Sequence, residues 1–330
     1  MKCPSFRLPA SILALAVACV ATQSQAGETS PPRVVASVPP IHSLVASVMA
    51  GVGDPVLLIP GAASPHTFSL RPSDARNLAG ADIVVWVGPA LETSLRGVLA
   101  TLAGRAHLVT LSETPGVELL AVREGGTWGD DDHGHEQHGR DTPAHENSGH
   151  GDDHAAMEID GHIWLSTGNA RVIVETVAAE LIEHDPLNAA AYEANRDAAL
   201  QRLDDLTARL RASLAPVSER PFVVLHDGYQ YFERQFGLNG IGAISVSPEI
   251  RPGARRLVEL REHVRALNAR CIFAEPQLNA SLVRTVAEGT GARIGILDPI
   301  GATLKPGPAL YPRLLENLAA GFNDCLAADG

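Results

Sequence analysis

Short apolar runs alternate with stretches of helical periodicity along most of the chain, and this alternation limits the possible folds more than any other feature of the sequence. Apolar runs of this length between amphipathic segments are typical of buried strands in a parallel sheet that helices cover. The runs form two sets, which predict two lobes built in a similar way. They lie at 34–38, 55–59, 83–87 and 107–111 in the first set, and at 222–225, 241–246, 271–274 and 294–297 in the second.

The segment between the two sets predicts one long helix. Residues 187–214 are rich in alanine and charged side chains, leucines recur at helical spacing, and Pro186 stands where such a helix would begin. At 1.5 Å per residue the helix would be about 42 Å long, enough to cross both lobes. We therefore predict an α/β fold of two similar lobes, each a mostly parallel sheet flanked by helices, joined by one long rigid helix. The predicted boundaries are 33–186 for the N-terminal lobe, 187–214 for the linking helix and 215–330 for the C-terminal lobe.

The first residues have the pattern of a secretory signal peptide. Lys2 and Arg7 precede an apolar stretch at 8–20, and the small residues up to Ala26 predict cleavage after that position. We therefore expect an exported, periplasmic protein, with lipid attachment at Cys19 as the alternative. No later segment reaches the roughly 18 apolar residues of a membrane helix.

Charge and cysteine content narrow the partners and the compartment. The formal net charge is −12 at pH 7, and it becomes −14 when residues 1–26 are removed with their two basic side chains. An acidic exported chain without a basic patch suits the collection of cations and not a nucleic-acid partner. Removal of the leader also leaves Cys271 and Cys325 as the only cysteines. In an oxidising compartment they predict one disulfide, with two buried thiols as the alternative.

A His-rich stretch at 130–154 indicates metal handling. It contains six histidines among aspartates, glutamates and glycines, and it is too polar to bury a core. Imidazole and carboxylate are ligands that Zn²⁺ accepts, so we predict a loop with weak accessory zinc sites that form only around an ion. A solvated low-complexity insert is the alternative. The six histidines are His133, His135, His138, His145, His150 and His154.

Three other histidines and one aspartate stand at junctions between apolar runs and loops. His66, His226 and Asp298 each follow a predicted strand, and His162 occupies a similar junction. Ligands of open α/β sheets lie at the carboxyl ends of the strands, so these side chains can converge in the cleft between the lobes. They predict a metal site with two ligands from each lobe. The ordinary alternatives are core or capping histidines and a turn role for Asp298.

Six motifs occur in order along the chain: SPHTFSLRPSD at 64–74, ADIVVWVGPALE at 81–92, HIWLS at 162–166, HDGYQYFE at 226–233, SPEIRPG at 247–253 and FAEPQ at 273–277. Together they resemble the periplasmic zinc-binding proteins of ABC importers, the ZnuA type. The resemblance extends from about Arg33 to about Leu326, apart from the His-rich stretch. It implies a protein without enzymatic activity that captures Zn²⁺ between two lobes and delivers it to an importer permease in the inner membrane.

The resemblance also implies the ligands. It places the family's three imidazoles on His66, His162 and His226, and a histidine at the third position favours Zn²⁺ over Mn²⁺ because a nitrogen-rich set suits zinc. Some zinc-binding members have a glutamate ligand before the first histidine, where this chain has Pro65. The fourth ligand is then Asp298 or water. We predict Asp298, because a closed tetrahedral shell suits tight binding without catalysis.

Other functions would use the same residues. Three histidines and a water also form the catalytic set of zinc hydrolases and hydratases, although the sequence has no His-Glu-x-x-His or Gly-x-Ser-x-Gly motif. A Mn²⁺-binding or adhesin-type relative of the same fold is a further alternative. For the transport function we expect a monomer, and a periplasmic metallochaperone is a second candidate partner beside the permease.

Overall fold

The computed structural model describes residues 30–123, 127–128, 158–245 and 252–327. The predicted signal peptide and Cys19 lie outside these ranges. Within them, no helix is long and apolar enough to cross a membrane.

Strands and helices alternate along these ranges as the apolar runs predicted. The strands are β1 (Val34–Ala36), β2 (Val56–Leu57), β3 (Ile83–Trp86), β4 (His107–Thr110), β5 (Phe222–His226), β6 (Gly240–Ser245), β7 (Cys271–Ala274) and β8 (Arg293–Ile296). The α-helices are α1 (Pro39–Val48), α2 (Pro72–Ala79), α3 (Arg96–Leu102), α4 (Thr167–His184), α5 (Ala189–Leu214), α6 (Gln230–Phe236), α7 (Ala254–Ala266), α8 (Ser281–Ala287) and α9 (Leu310–Leu326).

The strands form two parallel sheets with the same order. The first is β2-β1-β3-β4 and the second is β6-β5-β7-β8, so each sheet has its first strand between its second and its third. In such a sheet the connections leave in opposite directions at the carboxyl ends of the two central strands, where a crevice opens for a ligand. The predicted fold class is confirmed, and each sheet offers one such crevice.

The central strands are buried along their whole length, as a parallel sheet with helices on both faces requires. All five residues of β5 and all four residues of β3 and of β7 are buried. The second strand, β2, is shorter than the run at 55–59 that predicted it. The backbone of Leu58 nevertheless donates a hydrogen bond to Ala36, the last residue of β1, at 2.9 Å, and that of Ile59 donates to Ser37, the next residue, at 2.8 Å.

The long helix α5 has 26 residues, which corresponds to about 39 Å. It begins at Ala189, because Pro186–Asn188 forms a separate 3₁₀ turn before it. Its leucines at 203, 206, 210 and 214 are buried in one core that also includes residues of both sheets and of α1, α4 and α9. A smaller core lies between the second sheet and helices α7 and α8. Helix α5 packs against α1, α4 and α9, and α1 and α9 in turn lie on the first and the second sheet, so it opposes bending between the sheets. The predicted lobe boundaries stay a prediction.

A disulfide joins the two predicted cysteines. Cys271 at the start of β7 is bonded to Cys325 near the end of α9, with their Cα atoms 6.1 Å apart. It ties the last helix of the chain to a central strand of the second sheet.

Candidate metal centre

Three imidazoles from distant parts of the chain converge at one point. His66 lies in the 3₁₀ turn Pro65–Thr67 after β2, His162 lies just before the 3₁₀ turn that leads into α4, and His226 is the last residue of β5. The ring centroids are 5.2 to 6.2 Å apart, and one potential ligand atom of each ring lies within 4.8 Å of the other two. Among the residues that the structure describes, this is the one group of three or more metal-ligand side chains with that spacing.

The spacing of the nitrogen atoms suits a tetrahedral ion. The Nε2 atoms of His162 and His226 are 3.3 Å apart. Two ligands of a tetrahedral zinc ion, each about 2.0–2.1 Å from the metal, would be separated by about 3.3–3.4 Å. The two rings therefore already have the separation that zinc coordination requires.

Buried carboxylates orient two of the imidazoles. The Nδ1 atom of His226 forms a short hydrogen bond with Glu275, which directly follows β7, and Nδ1 of His162 lies 2.7 Å from Oδ1 of Asp160. The same Asp160 oxygen accepts the backbone N–H of His162 at 2.9 Å. A carboxylate partner at Nδ1 holds the proton there and leaves Nε2 free to coordinate. The Nε2 atoms of both rings are therefore the metal-facing atoms.

The wall of the cavity is mostly apolar. Besides the three histidines, Glu275 and Gln277, the side chains that line it include Pro65, Trp164, Leu278, Pro299 and Ile300. His162 and His226 are 6% and 4% exposed, whereas His66 is half-buried. An ion held here would lose most of its water shell.

Burial and neighbouring charges shift the pKa values of two ligands in opposite directions. Burial lowers the pKa of His66 to about 3, together with the nearby imidazoles of His162 and His226. Burial also opposes the charged form of His226, but the carboxylates of Glu275, Asp160 and Asp227 outweigh it and leave the pKa of His226 raised. His66 is thus neutral and able to coordinate at any physiological pH, and His226 is the ring for which a proton competes with the metal.

Asp298 is not among the side chains that the structure brings together at the three imidazoles. Its Oδ1 atom accepts hydrogen bonds from the side chain of Gln277 at 2.8 Å and from the backbone N–H groups of Ile300 and Gly301 at 3.2 and 2.9 Å. Its Oδ2 atom accepts one, from the backbone of Ala302 at 2.7 Å. The carboxylate is not in the group of atoms within 4.8 Å of one another, so its role as the fourth ligand stays a prediction.

The six histidines predicted as accessory zinc ligands, His133 to His154, lie outside the described residues. Among the described residues, the sequence did not single out Asp160, and for Glu275, which precedes Pro276, it allowed two roles: support of a metal ligand or entry into a helix. The available signal for Asp160 was its position two residues before the candidate ligand His162. An aspartate at this spacing can accept a hydrogen bond from the backbone N–H of the later residue. Glu275 is 49 residues from its imidazole partner and has no comparable signal.

Comparison with known proteins gives one consistent result. Residues 34–325 match the family described as zinc-uptake complex component A, periplasmic. The chain is 44% identical over 315 residues to the high-affinity zinc uptake system protein ZnuA of Brucella suis biovar 1, with 92% of this chain and 94% of that protein covered. It is 35% identical to the protein of the same name from Yersinia pestis, over 89% and 91% of the two chains. A solved structure described as ZnuA superposes with a TM-score of 0.74 at 25% identity, over 90% of this chain and 99% of the other.

Proposed function

The chain belongs to the family of the periplasmic component A of zinc-uptake complexes, and from that premise we propose that it binds its zinc ion at His66, His162 and His226. The protein is the periplasmic zinc-binding component of an importer, so the ion is its cargo and not a resident cofactor. One observation carries the proposal. The two metal-facing nitrogens of His162 and His226 are separated by 3.3 Å, the spacing of ligands around tetrahedral zinc.

The charges around the imidazoles support a cation as the ligand. Three neutral imidazoles leave the +2 charge of zinc uncompensated, and a buried charge is stable only near opposite charges. Glu275 and Asp160 are each 5% exposed, and each forms a hydrogen bond with one ring, Glu275 with His226 and Asp160 with His162. Their two negative charges balance the ion through the imidazoles, and they also make the rings better donors.

For the fourth position we propose Asp298, coordinating through Oδ2. A carboxylate has about four acceptor sites, and Oδ2 accepts one hydrogen bond here while Oδ1 accepts three. Coordination requires this carboxylate to move toward the imidazoles. We expect Asp298→Ala to weaken zinc binding by at least tenfold in a chelator competition. Unchanged affinity would assign the fourth position to water.

Substitution of each imidazole tests the ligand set. We expect His66→Ala, His162→Ala and His226→Ala each to remove the single tight zinc phase in isothermal titration of the full chain. His184→Ala is the matched control, because that imidazole lies at the exposed end of α4. A tight phase of unchanged affinity in His226→Ala would contradict the proposal.

We propose further that the protein acts without catalysing a reaction. The leader would direct export and be cleaved after Ala26, and the mature chain would act as a monomer that hands zinc to an ABC importer permease, with a periplasmic metallochaperone as a second partner. The rival function is a zinc hydrolase, which needs an exchangeable water on the metal. Hydrolysis of an activated ester by the zinc-loaded protein, at a rate that His226→Ala abolishes, would favour the enzyme.

The His-rich stretch at 130–154 is proposed to add weaker zinc sites. Ordering a chain around an ion costs about 1–2 kcal/mol per residue fixed, so sites made in this way bind less tightly than the three converging imidazoles. Deletion of the stretch should remove the weak phase of a zinc titration and keep the tight one. Loss of the tight phase as well would mean that the stretch supplies one of its ligands.

A further inference from the structure

The chain segments on either side of the His-rich stretch are built into the metal centre. We call them the loop stem: residues 120–123 and 127–128 form its outgoing segment, and residues 158–160 form its returning segment. Ala121 and Ile159 pair as antiparallel neighbours, and Val122 and Asp160 donate backbone hydrogen bonds across the pair to Glu158 and Leu120, at 2.9 Å each. The outgoing segment also pairs with strand β6, where the backbone N–H of Trp128 donates to Ile241 at 2.8 Å.

The returning segment of the loop stem ends two residues before the proposed zinc ligand His162. Asp160 is part of the antiparallel pair, and its carboxylate orients His162 as described above. The hydroxyl of Tyr231 donates to the carbonyl of Asp160 at 3.0 Å and accepts the backbone N–H of Leu120 at 2.9 Å. Tyr231 thus joins both segments of the stem to helix α6, close behind the metal centre.

Arg123 in the outgoing segment contacts residues on the other side of the same centre. Arg123 forms a bidentate interaction with the carboxylate of Asp227, the residue after His226, to which its Nε and Nη2 donate hydrogen bonds. Its Nη1 donates to Glu233 at 2.6 Å. The guanidinium carbon lies 3.4 Å from the ring centroid of Trp128. The carboxylates of Asp227 and Glu233 are 3% and 6% exposed, so Arg123 is the cation that compensates them.

The turn at 226–228, which Arg123 contacts through Asp227, restricts the position of the His226 imidazole. The backbone of Gly228 donates to the carbonyl of His226 at 2.9 Å, and Asp227 donates to Ser245 at 3.2 Å. A Cβ atom at Gly228 would lie 2.5 Å from Nε2 of His226. The main chain at 226–228 therefore passes directly against the metal-facing nitrogen, and a shift of Asp227 would move this turn relative to the imidazole.

We propose that Arg123 is a positioning residue for the zinc site, which acts through Asp227 on His226. The hydrogen bonds of Arg123 go to Asp227 and Glu233 and not to His162 or His226. The guanidinium of Arg123 fixes the turn after His226 through Asp227, while Asp160 on the returning segment of the loop stem orients His162. This inference rests on the proposed function, because it assumes that His226 is a zinc ligand.

Substitution of Arg123 in the full chain separates geometry from charge. Arg123→Met removes a positive charge near a cation site, and that change alone would strengthen zinc binding. Arg123→Lys keeps the charge and loses the fork that matches a carboxylate. Loss of affinity in both variants would therefore report geometry. Arg234→Met is the matched control, since Arg234 forms an exposed ion pair with Glu118 at 3.0 Å on the same helix as Glu233.

The readouts are zinc affinity from chelator competition, the visible spectrum of the Co²⁺-loaded protein, and the melting temperature of the metal-free protein. We expect about a 10- to 100-fold loss of zinc affinity in Arg123→Met, the range for residues that orient metal ligands, with a smaller loss in Arg123→Lys. The Co²⁺ spectrum should change in both variants and stay unchanged in Arg234→Met.

Wild-type zinc affinity and an unchanged Co²⁺ spectrum in both Arg123 variants, with only a lower melting temperature, would overturn the inference. If Arg123→Met fails to fold, Arg123→Lys and Asp227→Asn carry the same test, and wild-type affinity in both would overturn it equally. The proposed function fails separately, through a tight zinc phase that survives in His226→Ala.

Discussion

Replacement of Gly228 by alanine should destroy the tight zinc site with one added carbon atom. Gly228 follows Asp227 in the turn after β5, and its φ is not in the left-handed region, so alanine is compatible with the backbone. The added Cβ would lie 2.5 Å from Nε2 of His226 and 3.1 Å from Nε2 of His162. These two nitrogens are the atoms that we propose to bind the metal.

The size of the effect follows from these distances. An ordinary contact of a Cβ atom begins at 3.4 Å, so the His226 nitrogen would have to move by nearly 1 Å. Zinc–ligand distances vary by only about 0.2 Å, and the hydrogen bond to Glu275 holds the ring from the other side. We expect at least a 100-fold loss of zinc affinity, about 3 kcal/mol. The cost in folding stability should be smaller. Overpacking costs about 1–3 kcal/mol, and the reduced flexibility of the unfolded chain offsets up to about 1 kcal/mol of that cost.

Isothermal titration with zinc and thermal melting of the metal-free protein test this prediction against two control variants. Gly97→Ala adds a methyl group to helix α3, where nothing lies within 4 Å, and should leave zinc binding unchanged. Gly295→Ala creates a clash of the same 2.5 Å with the ring of Phe273, and should lower the melting temperature without loss of the tight zinc phase. A zinc affinity of Gly228→Ala within threefold of the wild type would refute the reasoning.

Three further predictions concern the disulfide, a buried glutamate and pH. Replacement of Cys271 and Cys325 by serine should destabilise the fold by about 4 kcal/mol in denaturant unfolding, the loop-closure entropy for a separation of 54 residues, with zinc affinity retained. Complete burial raises the pKa of Glu92 from 4.5 to about 7, against hydrogen bonds that lower it, so the folded protein binds more protons than the unfolded chain between these values. Stability should therefore fall by about 3 kcal/mol as the pH rises from 4.5 to 7, and Glu92→Gln should remove this fall in unfolding curves measured across that range. Zinc affinity should decrease between about pH 7.5 and 5.5, because the raised pKa of His226 lets protons compete with the metal; an affinity that stays flat in titrations across this range would indicate a carboxylate-dominated site.

The strands and the cysteine pair follow from local properties of the sequence. A run such as Ile83–Trp86 is too short and too apolar for anything but a buried strand, and its burial needs no knowledge of the rest of the chain. The pairing of Cys271 with Cys325 follows because they are the only two cysteines that remain when the leader at 1–26 is removed. The candidate histidines were found for the same kind of reason, because the end of a strand is visible in the sequence and the carboxyl edge of a parallel sheet is where ligands bind.

The partners of the ligands were decided by the tertiary structure alone. Glu275 meets His226 across 49 residues and Arg123 meets Asp227 across 104, and such hydrogen bonds depend on which strands are neighbours and how the connections cross. Asp298 illustrates the same limit, because backbone N–H groups of the turn that follows it bind its carboxylate, and their directions are set by φ and ψ and not by residue type. Sequence patterns specify which residues lie at the edge of a sheet, whereas distances of a few tenths of an ångström, on which metal coordination depends, exist only after the chain has packed.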